Sequence, residues 1–192
     1  MTDFESLYTA IRKWMSDRDI VLYELDLGLD RAGLFDGLSV TMNPNFLLEE
    51  RSYYLVHALG SIVLWSQNKQ GIQEVFDELR AAKETKEDQA RLNRAIERYR
   101  DFETKSSELA VWLLEHLGHP QAIKSYTNFM RADLDSMTNY HRYGKAPRWA
   151  EFFACWNQQV ADRERYPAPF KSRRIERFVP CKIELQEIKQ QQ

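Results

Sequence analysis

The sequence predicts an α+β protein, mainly helical, with a small β-sheet ahead of the main helices and additional helices at the C-terminal end. Three observations lead there. Apolar residues recur every three or four positions over most of the 192 residues, the period of helices with one buried face. Two short stretches, Ile20 to Asp26 and Leu38 to Asn43, break that period with β-rich or alternating residues. Seven glycines and six prolines are few and clustered, which leaves the rest of the chain to regular structure.

Taken in order, residues 2–17 place Phe4, Leu7, Tyr8, Ile11, Trp14 and Met15 on one side of a helix, with Thr2 or Asp3 as its N-cap. Residues 20–26 form the first strand. Gly28, Gly33 and Gly37 then punctuate a loop, and residues 38–43 form a half-buried second strand closed by Pro44. Glu49 and Glu50 open an apolar helix that Gly71 ends or interrupts. Residues 72–117 read as helical with a polar break near 83–88, and Leu92, Ile96, Tyr99, Phe102, Ser106, Leu109 and Leu113 make one stripe. Glu87 with Arg91 and Asp101 with Lys105 are outward ion pairs at four-residue spacing. Gly118 and Pro120 stop that helix, another runs over 120–142, and a short aromatic one carries Trp149, Phe152, Phe153 and Trp156. Beyond Tyr166 the chain is broken by proline and then basic (Lys171, Arg173, Arg174, Arg177), with a strand-like run from Phe178 to Leu185.

Composition bounds the function. Hydrophobic residues make up 43% and charged residues 29%, ordinary for a globular chain with a sizeable core. A net charge of −2 supplies no basic field to hold nucleic acid, so direct nucleic-acid binding is not expected. Cys155 and Cys181 lie far apart without a Cys-x-x-Cys spacing, which reads as two reduced thiols. The first residues are acidic and lack the basic and apolar regions of a signal peptide. The longest apolar run, near 53–65, is too short to span a bilayer. The expectation is a cytoplasmic protein with no membrane partner.

Chemistry concentrates in the helix of that apolar run. A zinc peptidase carries His-Glu-x-x-His on such a helix: two imidazoles one turn apart bind the metal, and the Glu activates its water. Here His57 fills the first position, Ala58 stands where the Glu belongs, and Ser61 stands at the second His. Ala58 has no group to take a proton, and Ser61 is a poor zinc ligand, so no catalytic residue is assigned.

The segments around that helix resemble the ImmA/IrrE-like zincin family. The matching residues are Leu38 to Asn43, Glu49 to Arg51, and Leu55-Val-His57-Ala-Leu-Gly60, where the family reads Ala-His-Glu-Leu-Gly-His. A downstream helix of the form Glu-x-x-Ala-(Asn/Asp/Ser)-x-x-Ala-x-x-Leu-Leu follows in register from Glu103 to Leu114. The resemblance covers roughly residues 20–117. It implies a zincin-like domain over 1–160 with a C-terminal helical extension, an extended basic tail over 161–192, and Glu103 as the third relic ligand position beside His57 and Ser61. It also implies a cleft walled by Tyr54, His57, Ser61, Trp65 and Glu103, with strand 38–43 as its edge. The usual partner in that family is a helix-turn-helix regulator.

The leading expectation is therefore a catalytically inactive metallopeptidase-like protein that binds a protein or peptide, with no cofactor unless the degenerate site still holds zinc. The second is a residual metal-dependent hydrolase using His57, Glu103 and a non-standard third ligand. The third is a structural or oligomerisation module that docks through its aromatic C-terminal helix. Each residue also has a plainer reading. His57 suits a buried imidazole bonded to a neighbour, and Glu103 suits either a solvated helix residue or a partner for His57. His116, His119 and His141 could complete an alternative metal site, but the His116-Leu-Gly-His119 pair lies at a helix end, where His complements the dipole. The basic run 171–177 suits a solvated face.

Overall fold

A computed structural model describes residues 2–28, 32–85, 88–144 and 169–183. Helix α1 (Phe4–Ser16) starts at Asp3, whose carboxylate accepts the Ser6 N–H at 3.1 Å, and it buries Leu7, Ile11, Trp14 and Met15. Strands β1 (Val21–Glu24), β2 (Gly33–Phe35) and β3 (Ser39–Met42) form one sheet in the order β1-β3-β2. β1 runs parallel to β3 and β2 antiparallel to it.

Helices α2 (Leu48–Gln67), α3 (Lys69–Glu84), α4 (Gln89–His116) and α5 (Ile123–Tyr143, after a 3₁₀ turn at Pro120–Ala122) make up the helical part. The result is an α+β fold, mostly helical, with a small mixed sheet. No described helix is long and apolar enough to cross a membrane.

Three details differ from the sequence reading. Gly33 to Phe35 is a strand, not loop, because Leu34 and Phe35 pair with Thr41 and Val40 of β3. Consequently strand 38–43 is not an edge: β3 is the middle strand, hydrogen-bonded on both sides. The break between α2 and α3 falls at Asn68, whose side chain accepts the Gly71 N–H at 3.1 Å, so Gly71 lies inside the first turn of α3.

The core is one cluster in which α2 is wrapped by α1, α4, α5 and the sheet, with a smaller cluster between α3 and α4 around Val75, Leu79, Ile96 and Tyr99. Residues 169–183 lie extended across the surface of this core, with no strand pairing over Phe178 to Ile183. Phe170, Ile175 and Ile183 are buried, Phe178 stacks on Trp14 at 5.9 Å, and the Ile183 N–H donates to the Asp36 carbonyl at 2.7 Å. The aromatic residues Trp149 to Trp156, Cys155, Glu87, Leu185 and the terminal glutamines lie outside the described residues.

Candidate functional site

Helix α2 is buried almost all round, which its sequence requires: Leu55, Val56, Leu59, Ile62 and Val63 leave no polar stripe to face water. Its N-terminus is held by Glu50, whose carboxylate accepts the Leu47 N–H at 2.9 Å. The position of its chemistry is set by Gly60. A Cβ built there would lie 2.2 Å from the Ser106 carbonyl oxygen, so α2 and α4 cross with their backbones nearly touching. Side chains one turn apart on α2 then meet side chains about one turn apart on α4.

Two pairs result. His57 Nε2 stands 2.8 Å from Glu103 Oε2, with both side chains only 14% exposed. Ser61 Oγ lies 3.1 Å from Ser106 Oγ, fully enclosed, and the Ser106 hydroxyl is also bonded to the Phe102 carbonyl. The other ring nitrogen of His57 faces the Tyr126 hydroxyl at 3.5 Å, the outer limit for a hydrogen bond. A hydrogen bond across the helix crossing thus joins the two groups that the sequence placed in register.

Of the five residues assigned to a cleft wall, the structure brings Tyr54, His57 and Glu103 together and leaves Ser61 and Trp65 elsewhere. Ser61 belongs to the helix crossing. Trp65 is buried and stacks on Phe76 at 5.6 Å. Ala58 is buried in the core cluster.

Residues outside the sequence reading complete the site. Asp133, on α5, faces Glu103 from a recess also lined by Tyr99, Ser107 and Met130, which leaves no free volume large enough for a water molecule. Desolvation, then the negative charge of Glu103, pushes the Asp133 carboxyl up to about 7, with His57 opposing the shift. Tyr54, Tyr99 and Tyr126 surround these carboxylates. Burial raises all three phenols, and the charges of Glu103 and Asp133 raise them further. Asp133 does leave a trace in the sequence: it is a charged residue on the apolar stripe of α5, between Met130 and Met137 at helical spacing. The periodicity gives no hint that it would reach Glu103.

The residues do not fit a catalytic zinc centre. Such a centre needs three protein donors and an open fourth position. Here Ser61, at the second ligand position, offers only a neutral hydroxyl engaged by Ser106, and Ala58 offers nothing. Among the described residues no three His, Cys, Asp or Glu side chains converge in a metal-binding arrangement. His116 stacks on Trp112 at 4.6 Å at the end of α4, His119 is buried beside Gln121, and His141 is buried against Tyr99, so these three belong to separate environments. What the site can do chemically is hold a polar, partly accessible ring of His57, Glu103 and Tyr54 next to a strand edge.

That edge is β2. Among the described residues it pairs only with β3, and Gly33 places its backbone against the Tyr54 ring: a Cβ there would lie 2.6 Å from the ring. No family model, no curated protein and no solved structure matches the chain.

Proposed function

We propose that the protein is a metallopeptidase-like binding module: it holds an extended peptide of a protein partner along the outer edge of β2 and does not cut it. The observation that carries this reading is the His57–Glu103 pair, bonded to each other at 2.8 Å beside a strand that has one edge open among the described residues. An added strand is recognised mainly through backbone hydrogen bonds, which need neither metal nor general base. Tyr54, against Gly33, supplies a ring for one side chain of the peptide, and His57 and Glu103 supply polar contacts farther along. The resemblance of residues 20–117 to ImmA/IrrE-like zincins supports the same reading and points to a helix-turn-helix regulator as the partner class.

The test selects extended peptides from a displayed library on the wild-type protein, then measures each binder against Tyr54→Ala and Gly33→Pro, with peptide mass followed by mass spectrometry. The expected result is intact peptides whose affinity falls at least about tenfold in both variants. Cleavage that disappears in His57→Ala and Glu103→Gln would instead establish the hydrolase reading. Elemental analysis of protein purified without chelator separates the two further. One zinc per chain, lost in His57→Ala, belongs to a hydrolase.

A further inference from the structure

Helices α2, α3 and α4 leave a second opening that shares no side chain with the His57 cleft. Asn68 alone separates α2 from α3, with a non-helical backbone that ends one helix and caps the next, and a trough of about 490 Å³ lies between these helices and α4. Its floor is apolar: Leu64, Ile72, Val75 and Phe102 each keep 5–9% of their surface accessible. Phe76 backs this floor, in edge contact with Phe102 at 5.4 Å and stacked on Trp65.

Its rim is cationic. Arg98 and Lys105 stand on α4, and Arg173 reaches in from the extended segment, whose backbone is pinned by the Arg173 N–H donating to the Glu108 carbonyl at 3.0 Å. The one acid in the lining, Asp101, is paired with Lys105 at 2.6 Å, and Arg98 is paired with Glu78. Among the described residues no ion pair involves the Arg173 guanidinium, which is exposed. The amides of Gln67 and Asn68 close one end.

We infer that this trough is a docking site for an acidic peptide segment of a partner protein, one bulky apolar residue entering the floor between flanking Asp or Glu residues. The volume is that of a specific ligand site. The trough opens along one side rather than enclosing its contents, which suits a continuous chain. Glu78 and Asp101 offset two of the three cations, so the rim keeps one net positive charge, at Arg173, which favours negative charge, and its exposed guanidinium presents a forked donor that matches a carboxylate. End amides such as those of Gln67 and Asn68 suit peptide backbone groups.

The test is titration of a fluorescein-labelled peptide, a central Leu-Phe pair flanked on each side by two Glu residues, followed by polarisation at low salt. Controls are the same peptide with Gln for every Glu, and anionic phosphatidylserine vesicles. The expected result is saturable binding that weakens about tenfold or more for the Gln peptide and for Arg173→Glu, and that falls as salt rises. Arg173 is exposed and its backbone contact is retained, so the variant should melt with the wild type, and Lys105→Glu provides an independent second variant. Equal affinity for the Glu and Gln peptides would overturn the inference. So would binding unchanged in both charge variants, or charge-dependent binding to the vesicles but not to the peptide. Tyr54→Ala leaves this trough untouched, so loss of the β2 site and loss of this one are read separately.

Discussion

Two buried groups respond to pH in opposite directions. His141 is 3% exposed, and burial together with the nearby charge of Lys83 lowers it to about 4, with Glu103 opposing. Its unfolded value is near 6.5. The unfolded chain therefore takes up a proton that the folded chain refuses, so this group's stabilisation is complete above about 6.5 and is lost as pH falls toward 4. The whole step corresponds to roughly 3 kcal/mol. Asp133 works the other way. Its folded value is about 7 against an ordinary 3.8 for an Asp, so the folded state holds the extra proton, and stability is lost as pH rises from about 4 to 7. Between pH 4 and 6.5 the two effects offset. Urea midpoints measured over that range should change little for this pair in the wild type, rise with pH in Asp133→Asn, and fall with pH in His141→Phe. Parallel curves for all three proteins would refute the assignment. Neither shift was legible from the sequence, because both arise first from burial against other helices, with Glu103 adding to the Asp133 shift and opposing that of His141. The His57–Glu103 pairing was one of two readings the sequence left open for Glu103, the other being a solvated helix residue, and the 2.8 Å contact decides between them.

At the level of the elements, the helices were readable and the sheet only partly so. Periodicity placed α1, α4 and α5 within a few residues because each has a clear apolar stripe with polar residues opposite. β2 was missed because three residues beginning with a glycine carry no period of their own; they are a strand only because Val40 to Met42 of β3 lie alongside. The same omission made β3 look like an edge. The crossing of α2 on α4 is likewise a tertiary fact, although the glycine it requires was visible at position 60. Gly60→Ala should force the two backbones apart at Ser106 and cost roughly 1–3 kcal/mol, the usual range for overpacking. Chemical denaturation would measure it. The displacement should also lengthen the His57–Glu103 contact, visible as a change in the His57 ring signals by NMR. A variant as stable as the wild type would mean that the helices slide apart without strain.

Across the whole molecule, residues 169–183 run over α4, α5, α1 and the turn before β3 in succession. Ser172 bonds Glu115 on α4 at 2.6 Å, Phe170 packs under Arg131 of α5, Phe178 covers Trp14 of α1, and Ile183 reaches the turn before β3. The sequence reading treated the basic run as a solvated face, and the arginines and lysines there are exposed; what it could not see was that Phe170, Ile175 and Ile183 alternate with them and point inward. Ile183→Ala removes a fully buried side chain and should cost about 2–4 kcal/mol. At ~2–4 °C per kcal/mol for a chain of this size, calorimetry should record a Tm lower by on the order of 10 °C. A shift under 1 °C would mean that the segment lies loosely on the core.

The stacking of Phe178 on Trp14 also sets an order of events on the ribosome. The cover for Trp14 is made only after nearly the whole of this chain has followed it. At ~5–20 residues per second the interval is on the order of ten seconds. During that time α1 has its apolar face met by α2 and the sheet, and Arg18 lies over the Trp14 ring at 3.9 Å, but the part of the ring that Phe178 covers stays open. The nascent protein thus offers a sticky aromatic surface to chaperones for longer than most of its core is exposed.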